Sequence, residues 1–188
     1  MFSRILFGIV IISCGLPAWA DHYTIDSTHT FPTFEIDHLG FSTQRGRFNT
    51  THGKLTFDAE KKTGSVEIVI DTASIDTGLG KLEEVLRSED FFDVKLYPTI
   101  TFRGDQFQFS DERLVAVSGN LTLHGVTQPV TLNIQRIKCG LSVARLRNMC
   151  GADAVVDIKR SEFGMRKGTP FIGDDVKIIL QIEAAKDL

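Results

Sequence analysis

From Asp21 to the C-terminus, apolar and polar residues alternate with a period of two, the pattern of strands whose successive side chains point to opposite faces. Pro32, Phe34, Ile36 and His38 share one face, with Thr33, Glu35 and Asp37 on the other. Leu55 and Phe57 repeat the pattern, and Val66, Ile68 and Ile70 oppose Glu67 and Asp71. Ile100 with Phe102, then Phe107 with Phe109, predict two strands flanking Gly104-Asp105. Leu121 and Leu123 precede His124-Gly125, while Val130, Leu132 and Ile134 follow it, so that dipeptide is expected to be a turn. Near the C-terminus Ala152, Ala154, Val156 and Ile158 oppose Asp153, Asp157 and Lys159, and Val176, Ile178, Leu180 and Ile182 oppose Lys177, Gln181 and Glu183. About eight to ten short strands with closely spaced turns predict a meander.

The rhythm breaks once, between Gly78 and Arg87. There Leu79, Leu82 and the pair Val85-Leu86 recur at helical spacing, with Lys81, Glu83 and Glu84 between them. This predicts a short amphipathic helix, followed at once by the aromatic pair Phe91-Phe92. A second helical turn is expected around Ser161 to Gly164. One-faced strands in a meander hide their apolar faces either as two packed sheets or by closing into a barrel. A helix too short to form a layer fits best over a barrel mouth. The expected fold is therefore all-β: a single antiparallel barrel of about eight strands with one short amphipathic helix near the mouth.

The first segment reads differently. Arg4, the apolar run Ile5 to Ile12, Gly15-Leu16-Pro17 and Ala18-Trp19-Ala20 follow the order of a cleavable signal peptide. Residues 1–20 are expected to be removed and residues 21–188 to remain as one domain. A bilayer span needs about 20 apolar residues, and this core is roughly half that. Ile11-Ile12-Ser13-Cys14 also resembles the site at which bacterial lipoproteins are cut and acylated, so anchoring at Cys14 is the minor alternative.

Charge and cysteines narrow the classes. The chain carries 24 acidic against 21 basic residues with no basic tract, which argues against a surface that tracks nucleic-acid phosphates. No run after residue 20 is apolar enough to span a membrane. Beyond the signal peptide only Cys139 and Cys150 remain, a pair that in an oxidising compartment is expected to form a disulfide worth ~2–3 kcal/mol on the chain-entropy account. A metal site would need further ligands, and His22, His29, His38, His52 and His124 lie upstream without ligand spacing among them. No nucleophile elbow, His-Glu-x-x-His or phosphate-cradling loop is present, so neither catalytic residues nor a catalytic cofactor are expected.

Several stretches together resemble a known family. Tyr23 to Thr30, Phe34 to Ser42, Arg45-Gly46-Arg47-Phe48, Ile70 to Gly78, Leu86 to Asp93, Tyr97 to Phe102, Gly119 to Val130 and Lys159 to Met165 are similar, in order, to the YceI-like family, also called the polyisoprenoid-binding family. One departure is that Glu84 is followed by Val85 where that family commonly has histidine. The resemblance implies a lipocalin-like barrel whose lumen holds a long isoprenoid chain, of polyprenyl phosphate or quinone type, in the periplasm.

On that expectation Phe34, Ile36, Ile100, Phe102, Leu121 and Leu123 line the lumen, and Leu82, Val85, Leu86, Phe91 and Phe92 belong to the lid. Phe41, Phe48, Phe163 and Met165 join them from the matched motifs. His38 shares the face of Phe34 and Ile36 and is a candidate donor to a headgroup, although a lone histidine at a strand end is more often a structural hydrogen-bonding residue. Arg45, Arg47, Arg160 and Arg166 suit an anionic headgroup or a solvated surface. Alternation alone does not separate a lined cavity from a core packed solid, because both need apolar inward faces. A filled barrel acting as a stress-response or interaction module, and an enzyme acting on the bound lipid, thus stay open, as does a homodimer. Gly46, Gly53, Gly119, Gly125 and Gly164 are read as bends and bulges of a curved sheet.

Overall fold

In the computed structural model the alternating segments become strands of one closed sheet. Residues 20–58 and 60–188 are described, and the expected signal peptide up to Trp19, with Arg4 and Cys14, lies outside them. The strands are β1 (Asp21–Ile25), β2 (Thr33–His38), β3 (Ser42–Phe48), β4 (Thr51–Asp58), β5 (Thr63–Asp71), β6 (Ile75–Asp76), β7 (Thr99–Ser110), β8 (Arg113–Leu123), β9 (Val126–Ser142), β10 (Arg147–Lys159) and β11 (Ile172–Lys186). Strands β1, β4, β5, β7, β8, β9, β10 and β11 are neighbours in that order, and β11 pairs back onto β1. This is a closed antiparallel eight-stranded barrel, which leaves no unpaired edge around its circumference. The first half of β11 instead pairs with β2 (Ile178 opposite Phe34), and β2 carries β3 and β6 as a flap beside the mouth.

The turns follow local chemistry. His124 (φ 51°) and Gly125 (φ 73°) both take positive φ, the two-residue hairpin geometry that matches strand twist. A Cβ at Gly125 would sit 2.5 Å from the Tyr97 ring, so glycine is required there. The region around Gly104-Asp105 differs from expectation. Instead of separating two strands, it lies within the single strand β7, whose register against β8 shifts between Gly104 and Gln106. One extra residue in a bulge bends a strand without ending it, which lets one long strand follow the barrel's curvature.

The expected disulfide is present. Cys139 and Cys150 face each other in the β9–β10 register, with sulfurs 1.97 Å apart. The predicted helix spans Gly80–Arg87 (α1), and the second helical turn is a 3-10 turn at Arg160–Phe163. Helix α1 is fastened by its polar residues. Arg87 donates from Nε to the Ala73 carbonyl at 2.9 Å and from Nη2 to the Ile75 carbonyl at 2.7 Å, while Glu83 accepts from the Thr77 N–H at 3.0 Å.

Candidate functional site

The interior is packed at one end and hollow at the other. Tyr23, Ile25, Leu114, Ala116, Cys150 and Ala184 are buried and fill the end where β1 begins. Toward the end capped by α1 the inward side chains stand apart around a cavity of about 400 Å³, within the size range of small-ligand pockets. Whether apolar inward faces meet or leave space depends on barrel width and side-chain size at each level, so the two readings left open by the sequence describe different halves of the same barrel.

The structure brings most of the expected residues onto this cavity. Phe34, Ile36 and His38 reach it from β2, Phe48 from β3, Ile100 and Phe102 from β7, and Leu121 and Leu123 from β8. Leu82, Leu86, Phe91 and Phe92 cover it from α1 and the segment after it, and Met165 follows the 3-10 turn. The aromatics interlock: Phe48 lies 6.2 Å from Phe34 and meets Phe92 edge-on at 5.7 Å, ring centre to ring centre. Phe34 has its place because position 46 is glycine, where a Cβ would lie 2.4 Å from the Phe34 ring.

Three of the expected residues are placed elsewhere. Phe41 stands on the β2–β3 turn and is 90% exposed, because Leu39 and Gly40 both take positive φ and reverse the chain before it. Val85 is 48% exposed, since the helix turns Leu82 and Leu86, four residues apart, to the cavity together with Leu79 at its N-terminus and leaves Val85 to one side. Phe163 is 1% exposed and is packed among side chains beside the cavity without lining it, its carbonyl 3.2 Å from His124 Nδ1. Lining residues outside the expected set include Ile68, Ile70, Leu132, Val156, Ile178 and Leu180. All six belong to the alternating faces and were identifiable as inward-facing. Gln44 and Thr77, also in the lining, carry no such signal.

Of the four arginines considered for a headgroup, Arg45 and Arg160 line the cavity. Arg45 is exposed and donates from Nε to Glu35 Oε1 at 2.8 Å. Arg160 is only 4% exposed. It donates from Nε to the Gly173 carbonyl at 2.8 Å, from Nη1 to the Met165 carbonyl at 2.8 Å and from Nη2 to the Ile172 carbonyl at 3.2 Å. Burial pushes its pKa down, and the nearby Asp174 charge acts in the opposite direction. A guanidinium has five N–H donors, so these three bonds tie both ends of the 165–173 loop to the cavity rim and leave donor capacity toward the lumen. Arg47 turns outward over the Phe31 ring, 5.2 Å from its centre, and Arg166 lies outside the lining.

Two other features compete as sites. A larger recess of about 660 Å³ crosses the flank of β4, β5, β7, β8 and β9, lined by residues such as Lys54, Glu67, Arg103, Asp105 and Asn120. It is open and polar, and less suited to enclosing a ligand than the apolar lumen. At the barrel end away from α1, Asp26, His29 and Glu183 come within metal-ligating distance of one another, an association at the seam where β11 pairs with β1 that sequence spacing does not reveal. The Arg145 guanidinium donates to Asp26 Oδ2 and lies 2.8 Å from His29 Nδ1, so a cation there would have to displace another cation.

Asp26 does set an acid limit. Burial alone would raise its pKa, but the Thr28 hydroxyl and N–H together with Arg145 outweigh this and bring it down to about 2. A carboxylate depressed in the folded state contributes its stability in full above the ordinary carboxylate pKa and loses it as pH falls through the folded value. Between pH 4 and pH 2 the protein is expected to lose about 2 kcal/mol through this group. Urea unfolding across that window should show the loss, and Asp26→Asn should flatten this part of it; an unaltered pH slope in Asp26→Asn would remove Asp26 as the cause.

The comparisons with known proteins agree with this architecture. The model of the YceI-like domain matches residues 23–184. A UPF0312 protein of Pseudomonas aeruginosa is 32% identical over 187 residues, covering 98% of this chain and 96% of its own. A UPF0312 protein of Yersinia enterocolitica is 33% identical, covering 99% of both. Among solved structures, Burkholderia cenocepacia BcnA superposes with a TM-score of 0.73 at 26% identity, over 85% of this chain and 98% of its own. A polyisoprenoid binding domain from Saccharophagus degradans does so with a TM-score of 0.66 at 20% identity, over 88% and 98%, a likeness of fold.

Proposed function

The chain belongs to the YceI-like family, and from that membership we propose that it is an exported carrier that holds the tail of an isoprenoid lipid in the hollow half of the barrel and shields it across the periplasm. The observation that carries the proposal is the cavity itself, about 400 Å³ of space bounded almost wholly by apolar side chains, with His38, Gln44, Arg45, Thr77 and Arg160 among its few polar lining groups. A tail there gains roughly 25 cal/mol for each Å² of apolar surface removed from water. Part of that gain is lost in immobilising a flexible chain, leaving affinity at about micromolar or tighter. His38 and Arg160 suit the headgroup, as donors to a phosphate or a quinone oxygen. The family relation and a fold shared with a polyisoprenoid binding domain support the class of cargo, and the signal-peptide pattern of residues 1–20 supports the compartment. The hollow half weighs against a filled barrel serving only as an interaction module.

The test is mass spectrometry of an organic extract of purified protein that has not been washed with detergent, followed by titration of the stripped protein with a quinone and with a polyprenyl phosphate. Co-purifying prenyl lipid and saturable binding are expected. An extract without any such lipid, together with no saturable binding of either compound, would overturn the proposal.

A further inference from the structure

Arg160 is the one feature of the lumen that an apolar tail does not account for. Its side chain is buried and lines the cavity. Of the five N–H hydrogens of a guanidinium, three are donated to the carbonyls of Gly173, Met165 and Ile172, and the other two have no acceptor among the described residues. Carbonyls supply dipoles but no counter-charge, and a buried charge is costly unless an opposite charge meets it. Among the described residues the opposite charge acting on Arg160 is that of Asp174, and burial outweighs it, leaving the Arg160 pKa lowered. The Asp174 carboxylate is itself taken by Ser161, whose N–H donates to Oδ1 at 2.9 Å and whose hydroxyl donates to Oδ2 at 2.7 Å.

The lumen offers no substitute, since none of its lining residues is Asp or Glu. Glu35, Asp37, Glu83 and Asp175 adjoin lining residues in the chain, but they bond Arg45, the Gly40 N–H, the Thr77 N–H and Lys159. Arg45 is thereby neutralised by Glu35, whereas Arg160 is not neutralised from inside the cavity. The 165–173 loop needs the donors of this side chain; it does not need its charge. We propose that the ligand meets that charge: the lumen selects an amphiphile with an anionic oxygen headgroup, a phosphate or carboxylate, over a neutral headgroup on the same tail, and Arg160 is the group that selects it. The inference rests on the carrier reading and narrows its cargo from polyprenyl phosphate or quinone to the charged class. Two anionic oxygens can accept the two remaining N–H groups of the planar fork, in a dry site where the attraction is little screened. A quinone carbonyl would accept a hydrogen bond there and leave the charge unmet.

Titration of stripped protein with farnesyl phosphate and with farnesol, which share a tail, tests this. Wild-type protein should bind the phosphate about tenfold or more tightly than the alcohol. In Arg160→Gln that ratio should fall to about one, and Arg160→Lys, which keeps the charge but not the fork, should retain part of it. Arg166→Gln, outside the lining, should keep the full ratio. Because the ratio compares two ligands on one protein, a loosened loop weakens both alike and cancels. Equal affinity of the wild type for the two compounds would overturn the inference. So would an undiminished ratio in Arg160→Gln, which would leave Arg160 as a clamp on the loop and nothing more. Should Arg160→Gln not fold, the wild-type comparison decides. Inorganic phosphate in large excess should displace neither compound, and displacement of farnesyl phosphate by it would assign the charge to a free anion and likewise overturn the inference. Equal binding of the two compounds leaves the carrier reading standing, whereas saturable binding of neither fails that reading itself, so the two failures are separately visible.

Discussion

The double substitution Val156→Phe/Ile178→Phe is expected to weaken lipid binding about a hundredfold or more while leaving the barrel folded. Val156 and Ile178 are register partners on β10 and β11, and Ile178 also faces Phe34 across the β2 junction. Both line the cavity. Two added rings would occupy space that a tail needs, yet they introduce no polar atom and fill a void rather than crowd a packed core. Overpacking penalties arise where no space exists, so thermal stability should stay near that of the wild type. Leu121→Phe, on β8 two strands away, should act in the same direction and guards against a local distortion at β10–β11. Undiminished binding in both variants, measured by titration of stripped protein, would place the ligand outside the lumen.

Replacing Arg160 with methionine should lower stability by about 3 kcal/mol. Methionine keeps much of the apolar stem but strands the carbonyls of Met165, Ile172 and Gly173, which the guanidinium now satisfies, and each buried acceptor left without a partner costs on the order of 1 kcal/mol or more. Arg160→Lys should recover only part of this, because one ammonium does not reproduce the planar fork. The accompanying signature is faster amide hydrogen exchange between Gly164 and Gly173, with β7 and β8 unaffected. If Arg160→Met unfolds at the wild-type urea concentration and exchange in this loop does not change, the loop is held by something else.

Strands were readily legible in the sequence, because alternation is a local property and each strand here has one apolar face. The helix was also legible, to within two residues at its start. Less legible were departures that depend on a partner strand. Gly104-Asp105 has the composition of a turn, and only its pairing with β8 makes it a bulge in a continuous strand. Residues of the candidate site were recovered where they sit on strand faces, as with Phe34, Ile36, Phe102 and Leu121. Phe41 was misplaced because an apolar residue just beyond a turn has no neighbour in sequence to show which way it points. Val85 was misplaced because helical spacing marks a broad stripe, of which the cavity meets the Leu79–Leu82–Leu86 edge. Phe163 was correctly read as buried, but neighbouring side chains enclose it and keep it off the cavity.

What the sequence by itself determined is the all-β class, the closed meander, the helix beside the mouth, the disulfide and the family. Each of these follows from patterns a few residues long or from a run of motifs in order. Only the tertiary structure decided that the barrel is solid at one end and hollow at the other, and that Arg160 is bonded to loop carbonyls. It also gathered Leu39, Phe41 and Phe171 at one exposed tip. The physical reason is that a strand's periodicity specifies which side chains face inward but not how far away the opposite wall lies. Cavity volume and the meeting of two distant loops are set by distances between strands far apart in the chain, and Arg160 is buried by a loop whose return path its own sequence does not specify.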